Sequence, residues 1–275
     1  MTRIALFQSC TGIDPAANAA SLVSAIDAAA SGGAEMLFTP EMSGLLDRDK
    51  ERAAGNAESE GDDQVLAACR EAARRNGVWL HLGSLALRAG DGKLANRGFV
   101  IDADGKIRAR YDKIHLFDVD LPTGESWRES AVYAGGSQAV TVAGTPVRQL
   151  GLTICYDLRF PALFERLTGA GAQVVAVPAA FTVPTGQAHW HVLLRARAIE
   201  AGVFVVAAAQ SGTHEDGRST YGHSLLVDPW GEVLLDMGEG TGVGFAELDL
   251  AKVAEVRGRV PAISHRRAIG EAARH

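Results

Sequence analysis

Gly33-Ala34-Glu35-Met36-Leu37-Phe38-Thr39-Pro40 returns, in altered letters, as Gly171-Ala172-Gln173-Val174-Val175-Ala176-Val177-Pro178. Each copy is a glycine turn, an apolar run short enough to be a buried strand, and a proline that ends it. Two further matches lie outward in the same order. Gly77-Val78-Trp79-Leu80 pairs with Gly202-Val203-Phe204-Val205, and Val100-Ile101-Asp102 with Gly105-Lys106-Ile107 pairs with Leu226-Val227-Asp228 with Gly231-Glu232-Val233. Any one of these is generic strand and turn vocabulary, but three in one order read as a duplication. The stretch from Pro40 to Gly77 is longer than its counterpart from Pro178 to Gly202, so the first half carries an insertion there. Two α/β halves, each with a sheet covered by helices on one face, bury their other faces against one another. The expected fold class is α/β, a four-layer α-β-β-α sandwich with two pseudo-equivalent halves.

The flanking sequence fits this frame. Residues 4–8 read as a strand and 16–30 as a helix, opened by Asp14-Pro15 and closed by Gly32-Gly33. A strand over 36–39, a helix over 64–75 ending at Gly77 and a strand over 78–84 follow. Asp104-Gly105 between 98–102 and 106–111 marks a hairpin, so the sheet is mixed. No linker rich in proline, serine or charge divides the chain. We read one domain over 1–261 and a polar C-terminal arm over 262–275, carrying His265-Arg266-Arg267, which either rests on a neighbouring surface or frays.

Composition narrows the function. Among 275 residues, 27 Lys and Arg face 33 Asp and Glu, a net charge of −6, with no basic block to hold nucleic acid or an anionic membrane. Apolar residues make up 47% and there are 31 glycines, as in a folded domain with many turns. The N-terminus lacks a signal-peptide pattern, and no apolar stretch reaches the length of a membrane span. A soluble, cytoplasmic protein is expected. Three separated cysteines, Cys10, Cys69 and Cys155, form no CxxC pair and no zinc-finger spacing, so neither disulfide nor metal site is expected.

Cys155 follows the apolar run 147–154 and precedes a stretch with helical spacing over 162–167. A cysteine at a strand-to-helix turn sits beside backbone N–H donors, and the helix dipole favours its thiolate; from position alone, the default use of such a residue is as a small core hydrophobe. A nucleophile needs a base. His189 and His191 lie two apart on a helix and face different sides, a poor metal or dyad geometry, while His115, His214 and His223 have no orienting partner in sequence. Glu41 stands directly off the strand end at Thr39-Pro40; burial beside a thiol raises a carboxyl pKa toward neutrality, unless the residue is an exposed loop glutamate. Lys113 leaves another strand among apolar residues. It either presents its ammonium to an oxyanion or is a solvated edge lysine.

Together Thr39-Pro40-Glu41, Tyr111-Asp112-Lys113-Ile114-His115-Leu116-Phe117 and Cys155-Tyr156-Asp157-Leu158-Arg159-Phe160-Pro161 resemble the Glu, Lys and Cys motifs of the nitrilase superfamily of carbon-nitrogen hydrolases, in the family's order. The resemblance spans nearly the whole chain, continuing through Ala188-His189-Trp190-His191 to Glu200 and from Tyr221 to Gly231. It implies the α-β-β-α sandwich and a cysteine amidase without metal or organic cofactor. Cys155 is then the nucleophile, Glu41 the base, and Lys113 with the Tyr156 N–H the oxyanion site. Glu129 matches the family's second glutamate, with Glu125 nearby. Arg-Phe-Pro after the cysteine, Leu-Leu-Arg-Ala-Arg-Ala-Ile-Glu and Ala-Ala-Ala-Gln-x-Gly-x-His look most like the deaminated glutathione amidase branch, with omega-amidases close behind. The implied substrate is the terminal amide of a small 2-oxo acid or its peptide derivative, and a homodimer or larger homo-oligomer is implied.

Arg159, one helical turn after Cys155, either reaches a substrate carboxylate or makes an intrachain ion pair. Phe181 and Thr182 are expected in the pocket wall. His191 stands where relatives usually carry Glu, and Arg195, Arg197 and Glu200 are expected to be structural. An N-carbamoyl amino acid hydrolase or a nitrilase on the same scaffold is the alternative, and a non-catalytic binding member would require loss of a residue that is present.

Overall fold

The repeated segments take equivalent places in two separate sheets of the computed structural model, which describes residues 1–90, 92–120, 124 and 126–274. The first sheet contains β1 (Thr2–Gln8), β2 (Met36–Phe38), β3 (Trp79–Arg88), β4 (Leu94–Ile101), β5 (Ile107–Asp112) and β17 (Gly242–Leu248) in the order β17-β1-β2-β3-β4-β5, with β8 (Tyr133–Ala134) beside β4. The second contains β9 (Val140–Thr145), β10 (Arg148–Leu152), β11 (Val174–Ala176), β12 (Phe204–Ala207), β15 (Leu225–Val227) and β16 (Val233–Asp236) in the order β16-β15-β12-β11-β10-β9. Three parallel strands followed by two antiparallel ones occur in each. Register repeats as well. Met36 lies opposite Trp79 as Val174 lies opposite Phe204, and Leu80 faces Ile101 as Val205 faces Val227.

Alternation along the strands sorts the layers. In β1, Ile4 and Leu6 join a central cluster with Leu150, Leu152 and Val174 of the other sheet. Ala5 and Phe7 point the opposite way, into a cluster with Leu22 and Ile26 of α1 (Pro15–Ser31) and Leu66 and Cys69 of α3 (Gln64–Asn76). Each such fully buried aliphatic side chain contributes about 1.5–3 kcal/mol relative to exposure. The helix signals act as read: Asp14 accepts a hydrogen bond from the Ala16 N–H ahead of Pro15, and Gly77 closes α3 at φ 64°.

Between Pro40 and Gly77 the first half holds α2 (Lys50–Asn56) besides α3; the second half has α5 (Val183–Ala201) alone in that interval. The sequence reading missed α2 because only Ala53 of its seven residues is buried, leaving no apolar period. It also missed two short ribbons, β6 (Asp118–Asp120) with β7 (Ser126–Arg128) and β13 (Ser211–Thr213) with β14 (Ser219–Tyr221). Helices α4 (Pro161–Gly169) and α6 (Ala251–Arg259) complete the set. Beyond α6, the Arg266 guanidinium donates to Thr168 Oγ1 of α4 at 3.1 Å. Among the described residues no helix is long and apolar enough to cross a membrane.

Gly83 of β3 lies where the two halves' strand ends meet. A Cβ there would stand 2.2 Å from the Thr39 carbonyl oxygen, 2.3 Å from that of Pro40 and 2.6 Å from Pro178 Cβ. Only glycine lets both proline-ended strands approach so closely.

Candidate active site

Three strand ends deliver three reactive side chains to one point. Glu41 leaves β2 through Thr39-Pro40, Lys113 directly follows β5, and Cys155 follows β10 after Thr153 and Ile154. Cys155 opens a short 3-10 helix over Cys155–Arg159 and adopts φ 50°, a left-handed conformation that costs a non-glycine residue about 1–3 kcal/mol. Its backbone N–H donates to the Pro178 carbonyl at 2.8 Å, which fixes the turn against the second half's proline. The Lys113 ammonium donates to Glu41 Oε1 at 2.8 Å and to Glu129 Oε2 at 2.9 Å. Glu41 Oε2 accepts the Ala180 N–H at 3.0 Å, and the carboxylate interacts electrostatically with the Cys155 thiol. Glu129 Oε2 also accepts the Phe117 N–H at 2.7 Å, so the second glutamate is held from both sides.

Burial strips water from all three groups, and their mutual charges then decide the protonation states. Burial raises the Glu41 carboxyl, but the Lys113 ammonium and hydrogen bonds from Cys155, Lys113 and Asn96 outweigh it and hold the group below the ordinary glutamate range. Burial likewise opposes the Lys113 charge, yet Glu129 and Glu41 raise its pKa well above that of a free lysine. The Cys155 thiol is pushed far up by burial first and by the Glu41 charge second. The resting set is carboxylate, ammonium and neutral thiol. Two expectations are corrected here: Glu41 is not lifted toward neutrality, because a buried cation lies against it, and Cys155 is not favoured as thiolate, because desolvation and the adjacent carboxylate outweigh any helix dipole.

The carbon-nitrogen hydrolase family profile matches residues 3–258. This chain belongs to that family. The deaminated glutathione amidase of Yersinia enterocolitica is 39% identical over 96% of the chain and 92% of its own length. Among solved structures, the Caenorhabditis elegans NitFhit protein superposes with a TM-score of 0.89 at 39% identity, over 97% of this chain and 65% of that one. Saccharomyces cerevisiae Nit3, described as a member of branch 10 of the nitrilase superfamily, gives 0.86 at 26% identity over 97% of each. The protein is accordingly an enzyme, a hydrolase of carbon-nitrogen bonds.

In this carbon-nitrogen hydrolase the cluster opens into a cavity of about 620 Å³. Glu41, Lys113, Glu129, Cys155, Tyr156, Arg159, Phe181 and Thr182, the residues singled out in the sequence, all line it. The Arg159 guanidinium stacks over the rings of Tyr156, at 5.8 Å, and Phe181, at 5.6 Å, and approaches His189 Nδ1 at 3.2 Å. Among the described residues no carboxylate lies within ion-pairing distance of Arg159, so the intrachain ion pair weighed above is absent. Arg197 and Glu200 do pair, at 2.8 Å, while Arg197 Nε donates to the Leu158 carbonyl behind the cysteine turn.

Sequence reasoning missed two residues that hold the site. Asn96 of β4, wholly buried, donates to Glu41 Oε1 at 2.9 Å and Glu129 Oε1 at 3.1 Å, bridging the two carboxylates. The signal was an amide among apolar strand residues. Asp157, also wholly buried, accepts the Ile154 N–H at 2.9 Å, the Tyr111 hydroxyl at 2.7 Å and the His115 backbone N–H at 3.1 Å, tying the cysteine turn to the lysine strand. The histidines weighed as bases lie elsewhere. His115 binds Asp157 at 2.7 Å and stacks on Phe160, His214 binds Thr220 at 2.8 Å, and His223 faces Asp236.

Proposed function

We propose that the protein is a cysteine amidase that releases ammonia from the terminal amide of a small 2-oxo acid or a deaminated glutathione-like substrate. The contact set of Glu41, Lys113 and the Cys155 thiol at the cavity floor carries this reading. The Cys155 sulfur attacks the amide carbonyl while Glu41 takes its proton. The oxyanion is stabilised by the Lys113 ammonium and the Tyr156 N–H. On collapse the C–N bond breaks, Glu41 passes the proton to the leaving nitrogen, and ammonia departs. Water, deprotonated by Glu41, then cleaves the thioester, and the proton returns to Cys155. Glu129 and Asn96 position the lysine and the base. A thiol that is neutral at rest suits this scheme, since attack and proton transfer occur together.

An anionic substrate is supported by the charge of the cavity. The chain is net negative, yet Arg48, Lys50 and Arg159 line the cavity with no ion-pair partner among the described residues, and Phe181 and Thr182 supply the adjoining wall. A carboxylate of the substrate fits Arg159. We further read residues 1–261 as one catalytic domain with 262–275 as an arm. The protein is read as a cytoplasmic homodimer or larger homo-oligomer; exposed Val192, Ile199 and Trp230 support an apolar contact with a second copy.

Ammonia release is to be measured with deaminated glutathione, 2-oxoglutaramate, a carbamoyl amino acid and a simple nitrile, together with the intact mass of the enzyme during turnover. The reading expects turnover of one of the two oxo-acid amides and an acyl adduct on Cys155. Preference for the carbamoyl compound or the nitrile would move the protein to the alternative chemistry, and full activity of Cys155→Ala would overturn the mechanism.

A further inference from the structure

Away from the cavity, three ligand-type side chains from three separate elements converge. His191 comes from α5, His223 from the connection between β14 and β15, and Asp236 from the end of β16. His191 Nε2 lies 3.0 Å from Asp236 Oδ2, and His223 Nδ1 lies 2.9 Å from Oδ1 and 3.2 Å from Oδ2. One donor atom from each residue falls within 4.8 Å of the others. Four ligands around an ion with metal–nitrogen bonds near 2.0–2.1 Å stand roughly 3.4 Å apart, so small side-chain adjustments would close these three around one centre.

We propose that His191, His223 and Asp236 form a binding site for one divalent transition-metal ion of the zinc, cobalt or nickel class. Two imidazoles and one carboxylate are the donors such borderline ions select, and three protein ligands leave further positions to water. Their surroundings orient them. Tyr221 stacks on the His223 ring at 4.4 Å, and the His223 carbonyl accepts the Trp190 indole N–H at 2.8 Å while its φ is held at 53°. Asp236 Oδ1 accepts the Gly238 N–H at 2.9 Å, the kind of outer contact that fixes a ligating carboxylate. Each side chain keeps part of its surface open, 33%, 22% and 34%, which gives an ion access. A bound ion would cross-link α5 to the edge of the second sheet. Trp190, next to His191 on α5, packs against the cavity-wall residue Phe181 at 4.7 Å between ring centres.

The test is cobalt(II) titration of the untagged, full-length enzyme, followed by absorption and by competition with zinc. Expected are one equivalent bound, d–d bands of nitrogen and oxygen ligation without a thiolate charge-transfer band, and a rise in melting temperature with metal. His191→Ala and Asp236→Asn should each weaken binding by about tenfold or more and lose the thermal shift, while metal-free amidase activity matches wild type and shows that the fold is kept. Absence of saturable uptake would overturn the site and leave these residues as a hydrogen-bonded cluster. A thiolate band, or affinity unchanged in both variants, would overturn it by placing the ion elsewhere.

Discussion

Strands β2 and β11 leave their sheets through equivalent prolines, Pro40 and Pro178, and then diverge. After Pro40 the chain places a charged side chain, Glu41; after Pro178 it places Ala179 and Ala180, and contributes backbone instead. The Pro178 carbonyl anchors Cys155 and the Ala180 N–H binds Glu41. The same contrast runs through the neighbouring strands. His81 of β3 sits opposite Phe38, where Val206 of β12 sits opposite Ala176. A duplicated backbone thus gives two matching sets of strand ends. In the first half they carry the charged Glu41 and Lys113; in the second they carry the Cys155 thiol together with the backbone groups of Pro178 and Ala180.

Breaking the reactive end most severely should cost the most. Cys155→Ala is expected to lower kcat by about 10⁴-fold or more, as loss of a nucleophile does, with no acyl adduct by mass. Glu41→Gln keeps the shape and removes the base, and a loss of about 10²–10⁴-fold is expected. Since Glu41 is held below the ordinary glutamate value of 4.5, it must stay ionised to act. The acid limb of wild-type kcat/KM should lie below that value, and a limb near neutrality would show that burial, not Lys113, sets the carboxyl.

Arg159→Gln sharpens the substrate side. A charged hydrogen bond is worth about 1.5–3 kcal/mol, so KM for an anionic amide should rise about 10- to 100-fold with kcat little changed, and a neutral amide should be indifferent. Asn96→Ala removes the bridge between Glu41 and Glu129. A fall in kcat of about tenfold at nearly constant KM is expected, recovered in part by Asn96→Gln.

The smallest change makes the first half more like the second. Burial pushes His81 down to about 3 from 6.5, and its Nδ1 has no hydrogen-bond partner among the described residues. The unfolded chain therefore takes up the proton first, and stability is lost as pH falls from 6.5 toward 3. His81→Val should remove this acid sensitivity, adding about 2–3 kcal/mol at roughly pH 4.5 beyond its effect at neutral pH. Urea unfolding at the two pH values checks it. Equal shifts at both would show that His81 does not titrate on unfolding.

Glu41, Lys113 and Cys155 were legible because each is a chemically distinctive residue directly off an apolar strand, and the family motifs surround them. Asn96 and Asp157 were not. An amide inside a strand and an acid after a cysteine acquire meaning only when their partners, 55 residues away at Glu41 and 46 away at Tyr111, are brought within hydrogen-bond reach. His191 and His223 read as unrelated for the same reason.

The sequence by itself determined the duplication, the layered α/β fold, its helix caps and the candidate residues Glu41, Lys113 and Cys155 at the strand ends. Those rest on local period, turn chemistry and residue type, all carried along the chain. Tertiary structure alone decided the protonation states, because a pKa depends on which charges share a water-free space. Lys113 lowering Glu41, and Glu41 raising Cys155, exist only once three strand ends from two halves close on one cavity.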